Sequence, residues 1–152
     1  MSLTKPLAEG KTRWKSGCVV VETEGVIIPG IGVELTVTWV HTAAKQRRKG
    51  WATEVLRMMK KQVLKQNPEC SISVVAIITS KAAYKLFRKV FGRPYLLVNS
   101  NGLIHKTEAS AVETLPLWTR DAKWLQLTRP SQFVEATFWV AKKGLLKLEP
   151  VA

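Results

Sequence analysis

The residues best equipped for chemistry lie together in KQRRKGWATEVL, residues 45–56. Arg47, Arg48 and Lys49 supply cationic donors, Gly50 leaves the backbone open, and Ala52 keeps the next position small. The stretch joins a strand-like run, LTVTWV, to a basic helix-like run, RMMKKQVLKQ. The first N–H groups of a helix have no partner within it, and the helix dipole is positive there. A loop bending into that terminus therefore presents several N–H groups to one anion, such as a phosphate. A glycine at this point lets a ligand or neighbouring backbone come close. The stretch carries neither GxxxxGK[ST] nor GxGxxG, so it is not a nucleotide P-loop or a dinucleotide fingerprint.

Other reactive side chains are scattered. Glu34 begins the strand leading into this loop, and Glu22 lies on an earlier one. Either could serve as a base if burial raised its pKa, and either could be a plain strand-end carboxylate. His41 titrates in a useful range but suits a structural role equally. Trp51 could stack on an adenine or pack over the helix start. Cys70 has no histidine partner in sequence and reads as a buried thiol. Cys18 and Cys70 lie far apart, as do His41 and His105. That spacing suits free thiols in a reducing compartment and offers no metal-ligand pattern.

These residues need elements to position them. At 152 residues, with 46% apolar and 23% charged side chains, the chain is expected to form one domain spanning 1–152. Residues 1–12 read as a loose lead-in, CVVVE as a strand, and GVIIPGIG as a loop. Residues 34–42 alternate and are rich in β-branched side chains, as a strand requires. Residues 53–66 carry an apolar stripe of Val55, Leu56, Met59, Val63 and Leu64 at helical spacing, with Arg57, Lys60, Lys61 and Lys65 outward. Asn67 and Pro68 end that helix. SISVVAII, residues 71–78, reads as a strand buried on both faces. Residues 80–91 form a second helix, with Ala83, Leu86, Phe87 and Val90 inward and Ser80 or Thr79 as N-cap. Short strands are expected at 95–98 and 133–140, with 99–131 inserted between them. A helix between two central strands makes a βαβ crossover. The class is therefore α/β or α+β with a mixed sheet.

The net charge is +13, and it is localised. Residues 45–65 hold eight Lys/Arg against Glu54, and residues 80–93 hold Lys81, Lys85, Arg88, Lys89 and Arg93 with no acid. Such a field attracts a phosphate cofactor, a nucleic acid or an acidic protein, unless the two helix faces are simply solvated. The N-terminal residues lack the apolar core of a signal peptide, and no apolar run is long enough to cross a membrane. A soluble cytoplasmic protein is expected.

Arg47-x-x-Gly50-x-Ala52 fits [RQ]-x-x-G-x-[GA], and SKAAYKLFRKVFG resembles N-x-x-A-x-x-L-Y-x-K-x-G-F at the appropriate distance downstream. Together they make the chain resemble the GNAT superfamily of acyl-CoA-dependent N-acetyltransferases over residues 34–98, with 133–140 as the closing strand. In that family the pyrophosphate loop follows the fourth strand and opens a helix, and a fifth strand and a further helix follow. The resemblance implies a GNAT-like fold with splayed central strands and acetyl-CoA as cofactor. The backbone of Arg47, Arg48, Lys49, Gly50, Trp51 and Ala52 would hold the pyrophosphate. Val40, His41 and Thr42 would pair with the pantetheine arm, and Ser80, Ala83 and Phe87 would stand at the second motif. An amine would attack the thioester directly after losing a proton to a base, with Glu34 and His41 as candidates.

Phe87 occupies the place of the tyrosine that often protonates the leaving thiolate, and Tyr84, three residues earlier, is its candidate substitute. The family's first strand and two substrate-gripping helices do not fit in the 33 residues before the central strand. The implied function is transfer of an acetyl group to an amine on a protein, a small molecule or an aminoacyl-tRNA. The alternatives are a structural or interaction protein that kept the fold, of a kind that could come from a phage, and a nucleic-acid-binding module acting through helices 53–66 and 80–91. An oligomer is left open.

Overall fold

The computed structural model describes residues 10–16, 19–28, 32–42, 51–116, 133–141 and 150–152. Among them are six strands, β1 (Gly10–Ser16), β2 (Val19–Ile28), β3 (Gly32–Thr42), β4 (Ser71–Ile78), β5 (Leu96–Asn99) and β6 (Val134–Ala141). The three helices are α1 (Trp51–Gln66), α2 (Lys81–Phe91) and α3 (Glu108–Glu113). The class is α+β, with one mixed sheet in the order β1-β2-β3-β4-β6-β5. The chain divides into two compact units, residues 1–74 with 139–146, and residues 75–138 with 147–152.

The first unit is built on an antiparallel meander. Lys11, Arg13 and Lys15 of β1 alternate with Thr12 and Trp14, and the strand pairs with β2 from Gly10–Gly25 to Ser16–Val19. Trp14 is wholly buried and its indole N–H donates to the buried hydroxyl of Thr23 at 3.2 Å, so the ring's one polar atom is satisfied. Residues 10–12, expected in the lead-in, are thus strand. Pairing with β2 makes them so, since GKTRWKS has one large apolar side chain.

The expected loop GVIIPGIG is mostly strand as well. Val26, Ile27 and Ile28 pair with Glu34, Val33 and Gly32, and the β-branched run extends the hairpin instead of ending it. Residues 29–31 lie outside the described residues. Gly32 has φ +150°, and a Cβ there would collide with the carbonyl oxygen of Ser71. The first residues of β3 and β4 therefore lie side by side, at an approach only glycine permits.

Helix α1 begins two residues earlier than the sequence predicts and ends where expected. The Asn67 side-chain amide donates to the Val63 carbonyl at 3.1 Å. Val55, Leu56, Met59 and Val63 are buried, and α1 packs on β1, β2 and β3, in which Trp14, Val19, Val21, Leu35 and Val37 are also buried. Each such side chain contributes about 1.5–3 kcal/mol by leaving water. Leu64 is half-buried, at the margin of the stripe.

In the second unit, α2 starts at Ser80, whose hydroxyl accepts from the Ala83 N–H at 3.1 Å. It ends at Gly92, with φ +82° and its N–H on the Arg88 carbonyl. Gly92 thus has a local reason to follow Phe91: a left-handed C-terminal residue favours glycine. Phe87, Phe91 and Phe138 form an aromatic cluster with ring centroids 5.7–6.4 Å apart. The expected insertion holds the Asn101-Gly102 turn and α3, while residues 117–132 lie outside the described residues. Residues 150–152 close on this unit, with Val151 N–H on the Pro94 carbonyl and Glu108 N–H on the Ala152 carbonyl, both at 2.8 Å.

Candidate cofactor site

The strand entering the suspected phosphate loop has an irregularity near its end. The β2–β3 register passes from Thr23–Val37 to Glu22–Trp39, so Thr38 stands opposite no β2 residue. This is a β-bulge, which bends and twists its strand and is over-represented next to active sites. Val40, His41 and Thr42 follow it directly, paired with Val21, Val20 and Val19. The bulge also shifts the side-chain alternation, so half-buried Val40 shares a face with Val21 after Val33, Leu35 and Val37 have done so before it.

Arg47, Arg48, Lys49 and Gly50 lie outside the described residues. The helix they lead into is described from Trp51. Its first turn, Trp51, Ala52, Thr53 and Glu54, holds the amides that an α-helix leaves unpaired. Ala52 is half-buried, Thr53 is buried, and Glu54 is an exposed acid in that turn.

Within the first unit the structure brings Val40, His41 and Thr42 together and separates Glu34 from them. Glu34 lies seven residues before His41 on the same strand, about 23 Å away at the usual rise. One substrate amine cannot touch both. The other early carboxylate, Glu22, is held by Arg13 through Nε at 3.0 Å and a terminal nitrogen at 2.6 Å. Between β1 and β2 lies a shallow groove lined by Lys11, Thr12, Arg13, Glu22, Thr23 and Glu24, which includes none of the residues the sequence singles out for cofactor.

The motif residues of α2 are engaged in the second unit's own structure. The Ser80 hydroxyl is the helix cap. Phe87 is 4% exposed and stacked in the aromatic cluster, and Ala83 is half-buried. Tyr84 is about as deeply buried as Phe87, at 5%; three residues apart on a helix, the two point roughly sixty degrees from each other and still share the buried face. Its hydroxyl donates to Glu108 Oε1 at 2.6 Å, and Arg88 Nε donates to the same oxygen at 2.8 Å. Arg93 Nε stands 3.7 Å from Glu108 Oε2. Burial first, then the hydrogen bond and the charge of Glu108, push the Tyr84 hydroxyl well above its ordinary pKa. At neutral pH Tyr84 is a protonated donor committed to a carboxylate.

Sequence reasoning missed this carboxylate centre. Its members are up to 24 residues apart, and Glu108 sits in a segment with no strong period. The one available signal was Thr107-x-x-Ser110 opening a short helix, where Thr107 Oγ1 accepts from the Ser110 N–H. His105 Nδ1 lies 3.1 Å from Ser110 Oγ, a local structural contact. Cys70 is a half-buried free thiol, and Cys18 lies outside the described residues. Among the described residues no group of His, Cys, Asp and Glu is placed to hold a metal ion, and no helix is long and apolar enough to cross a membrane. Comparison of the chain with protein-family models, with curated proteins and with solved structures finds no match.

Proposed function

We propose that the protein is an acetyl-CoA-dependent N-acetyltransferase of GNAT-like fold whose cofactor site lies at the end of β3 and the start of α1. The observation that carries this reading is the bulge at Thr38, directly before Val40, His41 and Thr42, on a strand leading toward a helix headed by Trp51 and Ala52. A bulge bends and twists its strand, which re-aims the Val40, His41 and Thr42 backbone that follows, and a pantetheine arm could pair with that backbone as an added strand would. Arg47, Arg48, Lys49 and Gly50 add the phosphate-binding chemistry on sequence grounds.

Chain topology supports the same reading. Neighbouring strands β3 and β4 begin side by side at Gly32 and Ser71 and are joined through α1, as in a parallel crossover. Only two strands precede β3 among the described residues, in keeping with loss of the family's first strand and substrate helices.

In this mechanism the amides of residues 47–52 would hold the pyrophosphate, and a backbone N–H near the end of β3 would polarise the thioester carbonyl for attack by the amine. His41 is the candidate base nearest that point in sequence, Glu34 being about 23 Å along the strand. Tyr84 donates to Glu108, so thiolate protonation falls to water unless that hydrogen bond is exchanged. This engagement, with Phe87 packed in an aromatic cluster, favours a second reading in which the chain binds CoA but turns over weakly.

Calorimetric titration with acetyl-CoA tests the proposal. Saturable binding is expected, and it should be lost in Arg47→Glu/Gly50→Glu. Absence of binding at millimolar cofactor would sink it.

A further inference from the structure

Helices α1 and α2 carry one feature that cofactor binding does not use. On α1, Arg57, Lys61 and Lys65 recur every four residues, and all three are exposed. On α2, Lys81, Lys85 and Lys89 repeat the spacing, with Lys85 and Lys89 exposed and Lys81 half-buried. Four residues are slightly more than one turn, so each set forms a stripe rising about 6 Å per step. Among the described residues no ion pair engages any of the six. The cations that do have acids lie elsewhere: Arg13 on Glu22, and Arg88 and Arg93 on Glu108.

Like charges four apart on a helix repel, by about 0.2–0.5 kcal/mol per pair. Helix α1 offers only Glu54 against its stripe, and α2 has no acid at all. A single phosphate would relieve one or two of these cations. A line of cations at even spacing is matched by a line of anions at even spacing, which a nucleic-acid backbone supplies.

We propose that α1 and α2 each lay their cation stripe along the phosphate backbone of a nucleic acid. Binding of this kind is set by charge, with no base reading in the stripes themselves. The six residues lie outside those assigned to acetyl-CoA, so this inference stands or falls separately from the cofactor reading.

The test is fluorescence anisotropy with a labelled single-stranded RNA and a labelled DNA duplex across a salt series. Two variants remove three charges each: R57Q/K61Q/K65Q from the stripe, and K11Q/K15Q/K106Q from exposed positions elsewhere. Glutamine keeps helix propensity close to that of Lys and Arg. The stripe variant should bind at least about tenfold more weakly near 100 mM salt and flatten the log K against log salt slope by about 2–3. The charge-matched control should change affinity less than about threefold, and K81Q/K85Q/K89Q should behave like the first variant. Calorimetry with acetyl-CoA should give unchanged cofactor affinity in all three. The proposal is overturned by equal weakening in the control, by no binding of either probe at low salt, or by equal affinity for polyglutamate or anionic vesicles.

Discussion

The two segments that carry the family resemblance differ in what the fold has already done with them. In α2 the motif positions are used internally: Ser80 caps the helix, Phe87 stacks on both Phe91 and Phe138, and Tyr84 is tied to Glu108. At the start of α1 the motif depends on backbone amides, and helix geometry leaves the first of these without intrahelical partners. A side-chain motif can be absorbed into packing while a backbone motif at a helix start remains available. On the proposed reading, variants of α2 should therefore alter stability more than affinity for acetyl-CoA.

The largest expected effect is that of Phe138→Ala, which removes a wholly buried ring from the α2 cluster. It should lower unfolding free energy by about 3–5 kcal/mol in urea denaturation. A loss under about 1 kcal/mol would mean the cluster does not hold α2, and the comparison would break. Gly32→Ala should cost about 2–3 kcal/mol, because its Cβ meets the Ser71 carbonyl at a backbone angle that disfavours L side chains. Normal stability in that variant would contradict the side-by-side start of β3 and β4.

Glu108→Ala should cost about 2 kcal/mol, leaving the buried Tyr84 hydroxyl and Arg88 without their acceptor. Partial exposure of Arg88 and Arg93 keeps this below the figure for a fully buried pair. Acetyl-CoA affinity should be unchanged, and a parallel loss would place the carboxylate centre in the cofactor site.

Tyr84→Phe should cost only about 1 kcal/mol near neutral pH. It also carries a pH signature. The folded protein raises the Tyr84 pKa, so this residue's contribution is complete below the unfolded value near pH 10 and declines as pH rises above it. Above pH 10 the wild type should lose about 1.4 kcal/mol per pH unit through this residue, and Tyr84→Phe should lack that decline. Identical high-pH profiles would show that Tyr84 is not held as described. If turnover exists and survives Tyr84→Phe, the thiolate is protonated by something else.

The elements with a strong period were legible in the sequence, and those formed by pairing were not. The stripe Val55, Leu56, Met59, Val63 and the run SISVVAII located α1 and β4 to within about two residues, because burial on one face or two dictates those patterns. Strand β1 has a single large apolar residue, Trp14, and exists through its ladder with β2, which no local pattern announces. The glycines and Pro29 of GVIIPGIG made it look like a loop, yet Val26, Ile27 and Ile28 continue the hairpin. At the candidate site, the Val40, His41 and Thr42 backbone was legible, whereas the preceding bulge depends on register with β2. Glu34 and His41 were separate candidate bases, and the strand length between them, about 23 Å, keeps one amine from touching both. Glu108 was illegible because tertiary contact alone brings Tyr84, Arg88 and Arg93 to it.

An amide chemical-shift titration of the labelled protein with acetyl-CoA tests the proposed cofactor site residue by residue. A cofactor site at the end of β3 should give saturable shifts at His41, Thr42, Gly50, Trp51 and Ala52, with those of Ser80, Tyr84 and Phe87 small by comparison. Shifts confined to α2, or none at millimolar acetyl-CoA, would contradict it.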